Sequence, residues 1–121
     1  MTLNEITTAL TKLKGVLGVA IVDASSGMMM AYSTSPGSSF DLEIASAGCV
    51  DIIRAKSKIL KMVQIDDVIH DIQVNMYKQI HLICPCSEKE NTFIYLVADR
   101  ATANISICRR SVFAAEKLVD F

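Results

Sequence analysis

Two spacings of apolar residues alternate along this 121-residue chain, and their alternation sets the order of elements. Leu3, Ile6, Leu10 and Leu13 recur at helical intervals, with Thr2 or Asn4 able to cap and Gly15 standing where a C-terminal glycine belongs, so a helix is predicted over residues 3–14. Val16 to Asp23 is a near-continuous, β-branched run, the pattern of a strand covered on both faces. The turn around Gly27 leads into a second strand, Met28 to Ser33, so the two form a hairpin. After the loop Thr34 to Ser39 comes the longest uninterrupted helical stretch, Phe40 to Val63. Beyond it Val68, His70, Ile72, Val74 and Met76 alternate with polar positions, which predicts a half-buried edge strand. Strands over Gln79 to Cys84 and Thr92 to Asp99 follow. A closing helix carries Ile105, Cys108, Val112, Ala115 and Leu118 or Val119 on one face, with Asp99 or Thr102 as its cap.

At about 100° per residue the long helix shows two apolar sides. Leu42, Ala45, Cys49, Ile52, Ile53, Leu60 and Val63 form a stripe expected to face the sheet, interrupted by Lys56. Ile44, Gly48, Ala55, Ile59 and Met62 lie beside it, and the small residues Gly48 and Ala55 permit another helix to come close. The arc is wider than packing on one sheet needs, so a partner helix is expected. Arg54, Lys56, Lys58 and Lys61 make its second half basic; Arg54, Lys58 and Lys61 share the polar side, read either as a solvated face or as a surface for an acidic partner.

Composition narrows the functional classes. Hydrophobic residues are 51% and charged residues 21%, which favours a packed globule, and the length suits one domain over residues 1–121. The formal charge of −1 supplies no general attraction to nucleic acid or anionic lipid. The start lacks a secretory pattern, and the apolar run Val16 to Val22 is far short of the about 20 residues a membrane helix needs, so no membrane insertion is expected. Four cysteines at uneven positions do not resemble a disulfide framework, and a reducing cytoplasm is the expected location.

Candidate chemistry is sparse. Cys84-Pro85-Cys86 with His81, Cys108 and Cys49 offers zinc-type ligands, but in a strand the two cysteines point to one face and His81 to the other, so buried thiols are expected. His70 shares the parity of the apolar residues around it and is read as an inward or interface histidine. Ser25-Ser26-Gly27 is not a nucleophile elbow, and Gly15 and Gly18 are not followed by a phosphate-loop lysine. Met28, Met29 and Met30 fill core and edge or form an adaptable contact surface. No catalytic residue, cofactor or metal is expected.

The run Gly15-Val16-Leu17-Gly18-Val19-Ala20-Ile21-Val22-Asp23 after the leucine repeat, with Ser26-Gly27 next, resembles the roadblock family of dynein light chains and bacterial small-GTPase regulators. Leu96-Val97-Ala98-Asp99 followed by Ala103-Asn104 and Arg109 resembles that family's closing segment. The resemblance implies an α+β fold of order αββαβββα: a five-stranded antiparallel sheet, the long helix on one face and the terminal helices on the other. It further implies a non-enzymatic homodimer that serves as a platform for a small GTPase. Dimerisation is then expected through Ile44, Gly48, Asp51, Ala55, Ile59 and Met62, with Val68, His70, Ile72 and Val74 pairing strand to strand. Arg54, Lys58 and Lys61 are the candidate partner-binding residues. The reading from another class is a small-ligand sensor or minor enzyme with a pocket between the long helix and the sheet.

Overall fold

The computed structural model describes residues 1–121 as α1 (Leu3–Thr11), β1 (Val16–Asp23), β2 (Met29–Thr34), α2 (Leu42–Met62), β3 (Ile72–Asn75), β4 (Gln79–Pro85), β5 (Thr92–Asp99) and α3 (Ile105–Glu116). The strands make one antiparallel sheet in the order β2-β1-β5-β4-β3. The predicted hairpin of β1 and β2 and the element order are present.

Helices cover both faces, which is why β1 and β5 have no polar side. On one face Ile6 and Leu10 of α1 and Cys108, Val112 and Ala115 of α3 pack on Val19, Ile21, Leu82, Cys84, Ile94 and Leu96. On the other, Leu42, Cys49 and Val50 of α2 pack on Ala20, Val22, Ile83, Phe93, Tyr95 and Val97. Alternate residues of each inner strand thus serve opposite cores. The space beneath α2 is filled by these side chains.

The helix starts are set by side-chain caps. Thr2 and Glu5 form a reciprocal capping box on α1, and Asp41 accepts from the Ile44 N–H at 3.1 Å to start α2. Asn104, not Asp99 or Thr102, caps α3 by accepting from the Ile107 N–H at 3.1 Å. The two expected caps are engaged with each other, Thr102 Oγ1 donating to Asp99 Oδ2 at 2.7 Å. Gly15 is irreplaceable for two reasons: its φ is +82°, and an added Cβ would stand 2.5 Å from the Ala103 main-chain nitrogen.

β3 is shorter than the alternation predicts. It spans Ile72–Asn75, so Val68 and His70 lie in the connector before it and make no strand pairing. The reason is on β4. The Met76 N–H donates to the Gln79 carbonyl and the Cys86 N–H to the Thr92 carbonyl, so odd-numbered residues of β4 bond towards β3 and even-numbered ones towards β5. Ile72 pairs with Ile83, and continuing that register would set His70 opposite Pro85, which has no N–H to give. The ladder stops one pair earlier.

Candidate interaction surface

α2 meets the sheet with Leu42, Ala45, Cys49, Ile53 and Leu60 of the expected stripe, but the stripe is rotated away from its other two members. Leu42, Ser46, Cys49 and Val50 are buried, and Ala45, Ile53, Ser57 and Leu60 are half-buried. Ile52 and Val63, assigned above to the sheet face, are exposed, and Lys56 is exposed with them. The true stripe lies roughly 50° around the helix from the predicted one, at about 100° per residue. Ser46 and Ser57 masked its centre, because hydroxyls close to the sheet look polar in a hydrophobicity pattern.

The outer side keeps the expected residues and gains others. Ile44 is 73% and Met62 71% exposed, Ile59 is half exposed, and Gly48, Asp51 and Ala55 are open to solvent. With Ile52 and Val63 they make an apolar strip along α2, which continues into the connector through Ile65 and Val68, the latter 84% exposed. Monomeric proteins seldom leave such a strip uncovered. A Cβ on Gly48 would meet nothing within 4 Å, so the notch it makes is not filled by this chain.

At the sheet edge, Ile72 is half-buried under α2 and Val74 is 37% exposed on the same face. His70 is not turned inward. Its side chain is exposed, with Nδ1 2.7 Å from Asp71 Oδ1 and the ring edge-on to Phe113 of α3 at 5.0 Å. Arg109 of α3 holds the strand's entry by donating to Asp71 Oδ2 at 2.8 Å and Gln73 Oε1 at 2.9 Å. Burial alone would raise the Asp71 pKa, but the hydrogen bonds from His70 and Arg109 and their charges outweigh it and hold the carboxyl below its ordinary value.

The structure brings Arg54, Lys58 and Lys61 together along an open cleft of about 490 Å³ between α2, the β1–β2 turn and Asn91. Arg54 is also a structural tie, donating to the Ala24 and Ser25 carbonyls at 3.1 and 3.2 Å. Lys58 and Lys61 form no ion pair within the chain, which leaves them available to an acidic surface.

The thiols and the second histidine do not assemble into a reactive centre. Cys84, Cys86 and Cys108 lie in the core under α1 and α3, whereas Cys49 lies under α2. Burial pushes Cys49, Cys84 and Cys86 up to about 12 and raises Cys108, so all four stay protonated thiols at neutral pH. No three His, Cys, Asp or Glu side chains converge in metal-binding geometry. His81 faces the α2 side, as its parity requires. There Gln79 Oε1 lies 3.0 Å from Nε2 and the Tyr95 hydroxyl 2.8 Å from Nδ1, with Phe40 edge-on at 5.5 Å. Of the methionines, Met28 is exposed, while Met29 and Met30 pack on opposite cores, as successive residues of a strand do. No helix is long and apolar enough to cross a membrane.

No protein-family model matches the sequence, and no curated protein matches it. Solved structures do match. A Roadblock/LC7 domain from Streptomyces avermitilis superposes with a TM-score of 0.73 at 9% identity, over 98% of this chain and 95% of that one. MglB of Myxococcus xanthus gives 0.80 at 13% identity over 94% and 81% of the two chains, and the gliding protein MglB of Thermus thermophilus gives 0.80 at 12% over 93% and 82%. At such identities the likeness establishes the fold, and function rests on the surface.

Proposed function

Because the chain has the roadblock fold, we propose that it works as a non-enzymatic homodimeric platform that binds and regulates a cytoplasmic small GTPase. The observation that carries this reading is the exposed apolar strip of Ile44, Ile52, Ile59, Met62 and Val63 on α2, in a chain whose sheet also ends on one side in the edge strand β3. Fully burying one such side chain is worth about 1.5–3 kcal/mol, so covering the exposed parts of five on each copy contributes on the order of 10 kcal/mol. Association costs about 4–15 kcal/mol. The strip is therefore sufficient for a dimer only with help from its surroundings, and pairing at β3 is the nearest source.

In such a dimer Ile44, Gly48, Asp51, Ala55, Ile59 and Met62 meet a second copy, and Ile72 and Val74 adjoin it at the sheet edge. Val68 and His70 flank the contact from the connector and do not extend the ladder. Lys58 and Lys61, with Arg54 behind them, offer the composite surface an acidic docking point; a GTPase bound there shifts between active and inactive populations only as far as it prefers one on this surface. Four free buried cysteines accord with a cytoplasmic setting.

The test is Gly48→Leu. Leucine has open space in the single chain and a better helix propensity by about 0.8–1 kcal/mol, so the variant should keep or raise monomer stability while blocking close helix contact. Sedimentation should show the parent as a dimer and the variant as a folded monomer. An unchanged dimer removes α2 from the interface. Capture from the native host, followed by nucleotide-hydrolysis assays on any GTPase recovered, tests the partner; recovery of none, with the dimer intact, leaves the platform reading without its client.

A further inference from the structure

The early end of β3 leaves a gap beside β4. Where a longer ladder would have run past Pro85, the connector instead lies against α3, with His70 edge-on to Phe113 and Asp71 bonded to Arg109. Between this connector, the end of β4 and the last turns of α3 opens a cavity of about 620 Å³, on the opposite face of the sheet from α2. That is the size of a small-molecule site. Its walls are mostly apolar: Val68 and Ile69 on the connector, Pro85 and the thiols Cys84 and Cys86 from β4, and Phe113 on α3.

Glu116 sets this cavity apart from an apolar crevice. It lines the cavity and is only 7% exposed, and buried carboxylates are as a rule paired. No cation of the chain forms an ion pair with it. Its partners are the Ser87 N–H at 2.6 Å and the Ser87 hydroxyl at 3.0 Å, both neutral donors from one residue. A carboxylate can accept about four hydrogen bonds, so about half of that capacity is unused.

The other charged or titratable side chains around the cavity are Asp67 and His70 on the connector and Lys117 on α3, all three exposed to water. Arg109, further back along α3, is spent on Asp71 and Gln73. Burial first, and the charge of Glu116 second, raise the Cys84 and Cys86 thiols, so the carboxylate's negative field reaches the β4 wall.

We propose that this cavity binds an organic cation, an ammonium or guanidinium group on a short apolar stem, with the charged end donating to Glu116 and the stem lying against Ile69, Pro85 and Phe113. An anion would be repelled by Glu116. A neutral apolar molecule would cover the walls and leave the carboxylate half used. A metal ion would lack ligands, since no three donor side chains converge. An ammonium brings three donors and a guanidinium five, which is what the unused acceptor sites call for. The site stands apart from the homodimer and from the basic side of α2, and neither is needed for it.

The probe is phenethylammonium, titrated into the full chain beside its neutral analogue phenethyl alcohol and followed through backbone amide chemical shifts. The ammonium should bind with a Kd on the order of 1 mM, as a fragment of its size can, and shift Val68 to His70, Ser87 and Phe113 to Lys117. Glu116→Gln keeps an acceptor for the Ser87 N–H and should weaken the ammonium by about tenfold, the worth of one charge-assisted hydrogen bond, in a variant shown to be folded by circular dichroism. If that variant does not fold, the preference of the parent chain for ammonium over alcohol decides alone. Equal binding of the two probes, no shift at these residues, or unchanged binding by folded Glu116→Gln overturns the site. Capped Gly-Lys-Gly and Gly-Arg-Gly peptides separate the sources of the cation: tighter binding than phenethylammonium assigns it to a basic side chain of a partner protein, and weaker binding to a free amine.

Discussion

His81 is held neutral by its neighbours. Gln79 Oε1 can only accept, so the proton sits on Nε2, and Nδ1 is left to accept from the Tyr95 hydroxyl. Desolvation by burial lowers its pKa below the ordinary 6.5. The unfolded chain therefore binds the proton more readily than the folded one, and the stabilisation is complete above about pH 6.5 and lost as pH falls through the depressed folded value. Denaturant titrations should show stability falling in that window, and His81→Gln should flatten it. The dependence from Asp71, whose pKa is also lowered, appears at more acidic pH, below its ordinary 3.8. Ser46 gives the opposite lesson. Its hydroxyl is fully buried and is the one buried side-chain polar atom without a partner, so Ser46→Ala should stabilise the fold by about 1 kcal/mol in chemical denaturation. His81 was legible as facing away from Cys84 and Cys86, since parity alone dictates that. Its bond to Tyr95 was not, because those residues meet only through the pairing of two strands.

At the scale of elements, β3 is where local pattern and tertiary constraint part. The alternation from Val68 to Met76 is strand-like, yet a strand exists only where its neighbour can bond, and Pro85 on β4 withholds the donor. The remaining four-residue strand is short enough to need its side-chain clasp. Arg109→Gln should free Asp71 and Gln73 from α3 and cost about 1 kcal/mol, a range set by partly exposed charge-assisted bonds. Amide exchange of Ile72 to Asn75 should accelerate more than that of β1 or β5; equal acceleration throughout would assign Arg109 a merely global role. α2 shows the complementary case. Its existence and length were plain from the sequence, and its rotation was not, because Ser46 and Ser57 occupy positions that a hydrophobic count discards.

For the whole molecule, the issue is what covers the outer side of α2. A single chain already satisfies its two cores, so Ile44 and Met62 add nothing to folding where they stand. If the second copy covers them, thermal stability of the parent rises with protein concentration, as mass action requires, and that dependence vanishes in Gly48→Leu. A second copy related by a two-fold axis would cover the same apolar strip on both chains.

Element order, the opposed faces of Cys84 and His81 and the surplus apolar side of α2 were determined by sequence alone, because each follows from a fixed periodicity of 3.6 or 2 residues, while the fold class was implied by the resemblance carried by Gly15 to Asp23 and the closing segment. The rotation of α2, the cap at Asn104, the end of β3 and the clasp of Arg109 were decided by tertiary structure. Those depend on which atoms of distant segments meet, and no local spacing carries that information.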